Sequence, residues 1–338
     1  MHSLSPPEGS LAIEGQYIWD STVVEHRNTL YRYALSADRG LETNKRHDFA
    51  RLRLATSNDG GSTWIDEGSP FENRPEGIWP TGTWPDHVIW TSTVSVRQTS
   101  SGDEFILMIT GRSKMDGFVQ KIGMATSKDG RNFSDPVVIL DPLTHPAKER
   151  GYDTQDVDPT KDVIMAWRDP FLFHDHTDKK WHMFFAAKPI NSTKSMPRGT
   201  VGHAVALDDT LSNWELREPL QLPLYYQQLE VPSVIYREGE YFLFVSTQNS
   251  PLKETNREKE AAFRGYRAPS ILGPWKPVYE STDFIFGHEV YGTTVFRKGD
   301  EAFAVAFFSE DTPWPVVGTP IVPITWQNQA PSITFRVQ

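Results

Sequence analysis

Leu54-Ala-Thr-Ser-Asn-Asp-Gly-Gly-Ser-Thr-Trp64 reads as the corner of a β-hairpin: a strand of small residues, a polar turn, then an aromatic that folds back over it. The stretch returns as Met124-Ala-Thr-Ser-Lys-Asp-Gly-Arg-Asn-Phe133. Looser copies are His203-Ala-Val-Ala-Leu-Asp-Asp-Thr-Leu-Ser-Asn-Trp214 and Tyr266-Arg-Ala-Pro-Ser-Ile-Leu-Gly-Pro-Trp275. Ahead of the copies stand polar or acidic strand starts: Trp19-Asp20, Trp90-Thr91, Arg168-Asp169-Pro170, Leu229-Glu230 and His288-Glu289. Positions 20, 91, 169, 230 and 289 are separated by 71, 78, 61 and 59 residues. A propeller blade of four strands takes about 40–50 residues, and longer loops stretch it. Five starts therefore imply an all-β, five-bladed β-propeller whose first strands line a central funnel. A β-sandwich with chance likeness between hairpins is the competing architecture.

The rest of the chain agrees with many short strands. Phe105–Ile109, Trp181–Phe185, Tyr241–Val245 and Phe303–Phe307 are compact apolar runs, and 25 Pro and 23 Gly are spread between them. Lys253–Glu260 reads as a polar loop or short helix. No linker divides the 338 residues, so one domain over 1–338 is expected, with 1–16 as an N-terminal extension and 311–338 as a C-terminal closing segment.

Composition excludes several classes of function. Cysteine is absent, which removes disulfide frameworks, thiolate metal sites and thiol nucleophiles. Acidic residues outnumber basic ones 44 to 34, a net charge of −10, so a nucleic-acid partner is not expected. No apolar run of about 20 residues predicts a membrane span. The start MHSLSPPEGS lacks the pattern of a secretory signal, so a cytoplasmic protein, or one exported by another route, is expected.

In a propeller, Asp20, Asp169 and Glu230 would meet in the funnel, with Glu289 nearby. Two carboxyl groups flanking a sugar are the usual tools of glycoside cleavage, and a third stabilises a cationic transition state. Trp19, Trp90 and Trp167 offer aromatic faces to a sugar ring. Crowding carboxylates at equivalent blade positions is costly unless they are used.

At these residues the chain resembles the levansucrase, inulosucrase and β-fructofuranosidase family, whose clan includes the invertases. Tyr17-Ile-Trp-Asp-Ser-Thr-Val-Val24 is similar to its nucleophile motif, Trp167-Arg-Asp-Pro170 to its Arg-Asp-Pro motif, and Gln227-Gln-Leu-Glu-Val-Pro-Ser-Val-Ile235 to its acid/base region. The likeness keeps its order from about residue 17 to 310. It implies retaining β-fructosyl transfer. Asp20 would be the nucleophile, Glu230 the acid/base and Asp169 the transition-state stabiliser. Trp19, Trp90, Thr91 and Arg168 would bind the fructosyl unit. Gln228 and Gln248 stand where the family carries an acid and an Arg that hold the donor, and Val231 replaces another Arg. These changes predict weak use of sucrose against other fructosides. A related furanosidase or pyranosidase, such as an arabinofuranosidase-type enzyme, and a non-catalytic sugar-binding propeller are the alternatives.

The ten histidines show no zinc spacing, and His174, His176, His145, His182 and His203 read as surface or core residues. His288 starts a strand and would bind sugar hydroxyls. Asp153, Asp156, Asp158 and Asp162 form an acidic loop without EF-hand spacing. No cofactor is expected; calcium in that loop is conceivable but not predicted.

Overall fold

The computed structural model describes residues 5–71, 73–154, 165–190, 199–222, 226–247, 262–279, 284–287 and 289–335. Gln248, His288, Asp156, Asp158, Asp162 and the Lys253–Glu260 stretch lie outside them.

The strands form antiparallel meanders arranged around one axis. Blade one is β1 (Gln16–His26), β2 (Thr29–Asp38), β3 (Arg51–Ser57) and β4 (Ile65–Gly68). Blade two is β5 (Val88–Thr99), β6 (Gly102–Arg112), β7 (Gln120–Ser127) and β8 (Val137–Leu140). Blade three is β9 (Trp167–Asp175), β10 (Lys180–Ala187), β11 (Thr200–Ala206) and β12 (Trp214–Leu216). Blade four is β13 (Leu229–Arg237), β14 (Glu240–Thr247), β15 (Ala262–Ala268) and β16 (Lys276–Pro277), with β17 (Phe284–Phe286) also on β15. Blade five is β18 (Val290–Lys298), β19 (Glu301–Phe308) and β20 (Val322–Pro323); a hairpin of β21 (Thr325–Gln327) and β22 (Ala330–Ser332) follows. The innermost strands touch in the ring β1, β5, β9, β13, β18 and back to β1, so the molecule is a five-bladed propeller. No helix among the described residues is long and apolar enough to cross a membrane.

The hairpin corners are built as their sequence implies. Ser57 Oγ and Asp59 Oδ1 are 2.7 Å apart, and Thr63 N–H donates to the same carboxylate at 3.0 Å. Ser127 and Asp129 repeat the contact at 2.8 Å, with Arg131 N–H and Asn132 N–H closing the turn. Such side-chain caps satisfy the turn's backbone donors locally. The aromatics that follow pack inward: Phe133 is buried and meets Phe71 and Tyr33 edge-on. Blades two and three meet through apolar faces, with Ile106, Met108 and Leu140 clustered against Trp167, Met183 and Phe185.

The ring is sealed by both ends of the chain. Leu11 and Gly318 exchange backbone hydrogen bonds at 3.0 and 3.1 Å, and Ile18 N–H donates to Val316 O at 2.9 Å. The same segment bonds back to β19 through Phe308 and Thr319.

One irregularity recurs in every blade. The pairing of each innermost strand slips at Trp19/Thr22, Trp90/Ser92, Arg168/Phe171, Glu230/Ser233 and Tyr291/Thr294. These are β-bulges, which bend a strand and re-aim its side chains. Asp20, Asp169 and Val231 have φ of 44°, 58° and 48°, in the left-handed region that branched residues seldom adopt, and Gly292 has 59°. A repeated strain of this kind is kept where a site depends on it.

Candidate active site

The bulges bring the carboxylates together. Asp20, Asp169 and Glu230 line one cavity of about 580 Å³, though they lie on three blades. The cavity also takes Trp19, Trp90, Thr91 and Arg168. Glu230 stands one residue ahead of its bulge, level with Trp19 and Arg168, while Asp20 and Asp169 occupy the bulge itself.

Hydrogen bonds fix each group. Thr91 Oγ1 donates to Asp20 Oδ2 at 2.7 Å. Asp169 accepts from Val231 N–H at 3.1 Å, and its own N–H donates to Thr110 Oγ1 at 2.8 Å. Arg168 Nη2 donates to Glu230 Oε1 at 2.8 Å and to Gln228 Oε1 at 3.0 Å, while its Nε lies 3.7 Å from Asp169. Tyr291 OH donates to Glu230 Oε2. Gln120 supports Arg168 from below, with Nη1 at 3.4 Å from its Oε1.

The charges are unequal. Burial, and then the Asp169 charge, push the Asp20 carboxyl up to about 7, against the pull of the Thr91 hydrogen bond. Asp169 rises to about 6, again chiefly through burial, with Arg168 opposing and Glu230 adding. Burial also acts on Glu230, but the Arg168 guanidinium and the Tyr291 hydroxyl together hold it below its ordinary value. Of the three, Asp20 therefore holds a proton most readily, and Glu230 is the most acidic.

Three of the expected residues are placed differently. Trp167 is fully buried in the core between blades two and three, where its Nε1 donates to Leu140 O at 3.2 Å, so its ring offers no face to the cavity. Glu289 is exposed ahead of β18 and does not enter the cavity; Tyr291 and Gly292 take the axial place of blade five, because the bulge and not the acidic start sets the phase. Gln228 is buried behind Arg168 rather than on the cavity wall.

Other lining residues carried no signal in the sequence. Arg46, His47 and Asp48 come from a 3-10 turn (Thr43–Asp48) between β2 and β3, and Arg112 and Phe118 from the end of β6 and the loop after it. His47 is packed edge-on to Trp19 at 5.7 Å, and burial with the Arg46 charge lowers it to about 4, so it is neutral. Its carbonyl accepts from Trp90 Nε1 at 2.8 Å. Lys188, behind the site, is lowered to about 7, chiefly by burial, and donates to Gln227 O.

No protein-family model matches the sequence. Among curated proteins it is 24% identical over 183 residues to a levansucrase of Erwinia amylovora, covering 46% of this chain and 43% of that one. It is 22% identical over 276 residues to an extracellular sucrase of Zymomonas mobilis, covering 73% and 63%. The matched part is thus less than two thirds of either relative's length. Among solved structures, an inulosucrase from Halalkalicoccus jeotgali bound to kestose superposes with a TM-score of 0.74 at 21% identity, over 98% of this chain and 90% of that one. A levansucrase of B. megaterium gives 0.74 at 14% identity, over 95% and 86%. These structures share the fold. In sequence and in fold the chain is levansucrase-like, and divergent from the relatives that bear the name.

Proposed function

We propose that the protein is a retaining glycosidase or transglycosylase acting on β-fructofuranosides. The observation that carries this reading is the meeting of Asp20, Asp169 and Glu230 in one cavity walled by Trp19 and Trp90. In the first half-reaction an Asp20 oxygen attacks the anomeric carbon, the bond to the leaving oxygen breaks, and Glu230 gives that oxygen its proton. In the second, Glu230 takes a proton from water or an acceptor hydroxyl, whose oxygen attacks the same carbon and frees Asp20. Asp169 binds ring hydroxyls and faces the positive charge that develops between the two steps.

Catalysis requires ionised Asp20 and protonated Glu230, the opposite of the resting preference. The productive form is then a minority tautomer of a site that holds one proton between the pair. Lining acids (Asp20, Asp48, Asp169, Glu230, Glu310, Asp311) outnumber the arginines (Arg46, Arg112, Arg168), which favours a neutral sugar over a phosphorylated one.

The test is fructose release from a fructan oligosaccharide, sucrose and an aryl β-fructofuranoside, with the anomeric configuration of the first product recorded. Asp20→Asn abolishes turnover. Glu230→Gln slows poor leaving groups by about 10²–10⁴-fold and activated ones far less. Equal slowing of both kinds, or an inverted first product, overturns the reading.

A further inference from the structure

On blade four, the positions expected to hold a leaving sugar carry no cation into the cavity. Val231 is apolar, and Gln228 is bonded to Arg168 behind the wall. Two guanidinium groups enter from blades one and two instead. Arg46 is 8% exposed; its Nη1 donates to Thr43 O at 2.5 Å and to Glu310 at 2.9 Å. Its Nε is shut off from solvent, and neither Nε nor Nη2 donates to a described residue. Arg112 is 2% exposed and forms no ion pair among the described residues. Its Nε and Nη2 share one acceptor, Gly117 O, at 3.2 and 3.0 Å, and Nη1 donates to no described residue. Trp90 and Phe118 flank its guanidinium at 5.0 and 4.3 Å.

These residues form one wall. Arg46 lies 5.6 Å from the Trp19 ring, His47 binds Trp90, and Trp90 carries Arg112. Burying Arg112 without a contacting carboxylate among the described residues is costly, because its donors lose water and gain little. A planar fork with spare N–H groups, fixed between aromatic rings, is well suited to the hydroxyl oxygens of a sugar. Glu310 and Asp48 temper the positive charge, so the fit is to a neutral polyol and not to an anion.

We propose that Arg46 and Arg112 form the leaving-group subsite of this chain, holding the second sugar by its hydroxyls from the side opposite blade four. The proposal rests on the fructosidase reading above. It makes both arginines specificity-determining residues.

The experiment compares kcat/KM for a fructan oligosaccharide and for an aryl β-fructofuranoside, whose leaving group has no sugar hydroxyls. Wild type, Arg46→Gln, Arg112→Gln and Arg112→Lys are measured. The ratio of the two constants does not depend on how much enzyme is folded, so partial misfolding of a variant leaves the test intact. The expected result is a 10- to 100-fold fall in the ratio, about what one charge-assisted hydrogen bond gives, with Lys restoring little of it. A ratio within about twofold of wild type in the Gln variants of both arginines overturns the subsite while leaving the fructosidase reading in place. If wild type releases fructose from neither substrate, that reading fails, and the subsite is judged by calorimetric titration with the same oligosaccharide. Binding weakened at least tenfold in the Gln variants upholds it; equal binding, or none to wild type, overturns it.

Discussion

Gly292 lacks a side chain because the Asp20 carboxylate fills that space: a Cβ there would lie 2.3 Å from Asp20 Oδ1 and 2.7 Å from the Phe307 ring. The glycine also takes φ of 59°. Blade five thus sets the position of a carboxylate that blade one supplies. Gly292→Ala is expected to lower kcat by about 100-fold, since a shift of about 1 Å at a reacting group has that effect. Gly239→Ala is the control. Gly239 has φ of 88° in the β13–β14 turn with nothing within 4 Å, so it carries comparable backbone strain without the collision. It should lose stability and keep its kcat. Parallel losses of kcat in both variants would show that the collision with Asp20 has no role.

Asp20 is a liability to the fold. Its folded pKa of about 7 lies above the unfolded value of 3.8, so the group favours the folded state fully only below the unfolded value. That contribution is lost as pH rises through 7. Raising the carboxyl from 3.8 to about 7 corresponds to about 4 kcal/mol as an upper figure. Asp20→Asn should therefore melt higher than wild type at pH 8, and the gap should close as pH falls toward 4. A gap that is flat with pH would mean that Asp20 ionises freely in the folded protein.

The legible parts of this molecule were those whose chemistry is local. Asp59 and Asp129 mark their own turns, because an aspartate capping the next backbone N–H groups is a short-range event. Asp20 and Asp169 stood out as acids where an apolar strand begins. Tyr291 and Gly292 did not, because blade five has no acid at its bulge, and the nearby Glu289 drew attention three residues too early. The phase of the repeat follows the bulge, a backbone feature with no fixed residue type. Arg46, His47 and Arg112 were beyond reach for another reason. They sit on or beside connections, whose path depends on what they pack against.

Arg32 joins β1, the strand that carries Asp20, to the seam of the ring. It is fully buried, donates to Ser21 Oγ at 3.0 Å and Thr319 O at 2.8 Å, and stacks 5.5 Å from Trp64. No carboxylate pairs with it among the described residues, and burial lowers it to about 9. Its hold on Thr319 ties the closing segment to β2. Arg32→Met should destabilise the protein by about 3 kcal/mol, the loss of several buried polar contacts, measured by urea unfolding. Because Ser21 follows Asp20, kcat should fall as well, even where the variant is fully folded. A loss under about 0.5 kcal/mol would make Arg32 a passive filler.

Under the proposed mechanism the carboxylates set the pH dependence of kcat/KM. Above about 7 the pair of Asp20 and Glu230 loses its single proton, which rests mostly on Asp20, and no acid is left for the leaving group. Below about 6 Asp169 takes up a proton, and the negative charge facing the cationic transition state disappears. Between these limits the fraction of the pair with its proton on Glu230 is constant, because moving that proton between two groups does not involve the solvent. The expected profile is a narrow bell with limbs near 6 and 7. Tyr291→Phe sharpens the test. The lost hydroxyl donates to Glu230 and helps hold it low, so its removal lets Glu230 keep a proton more readily. The alkaline limb should then stay near 7, because the proton still rests mostly on Asp20, while the share of it on Glu230 grows, so any fall in kcat reports poorer alignment of Glu230. An alkaline limb that moves down in Tyr291→Phe, or a profile flat from pH 5 to 9, would mean that the proton shared by Asp20 and Glu230 does not limit the reaction.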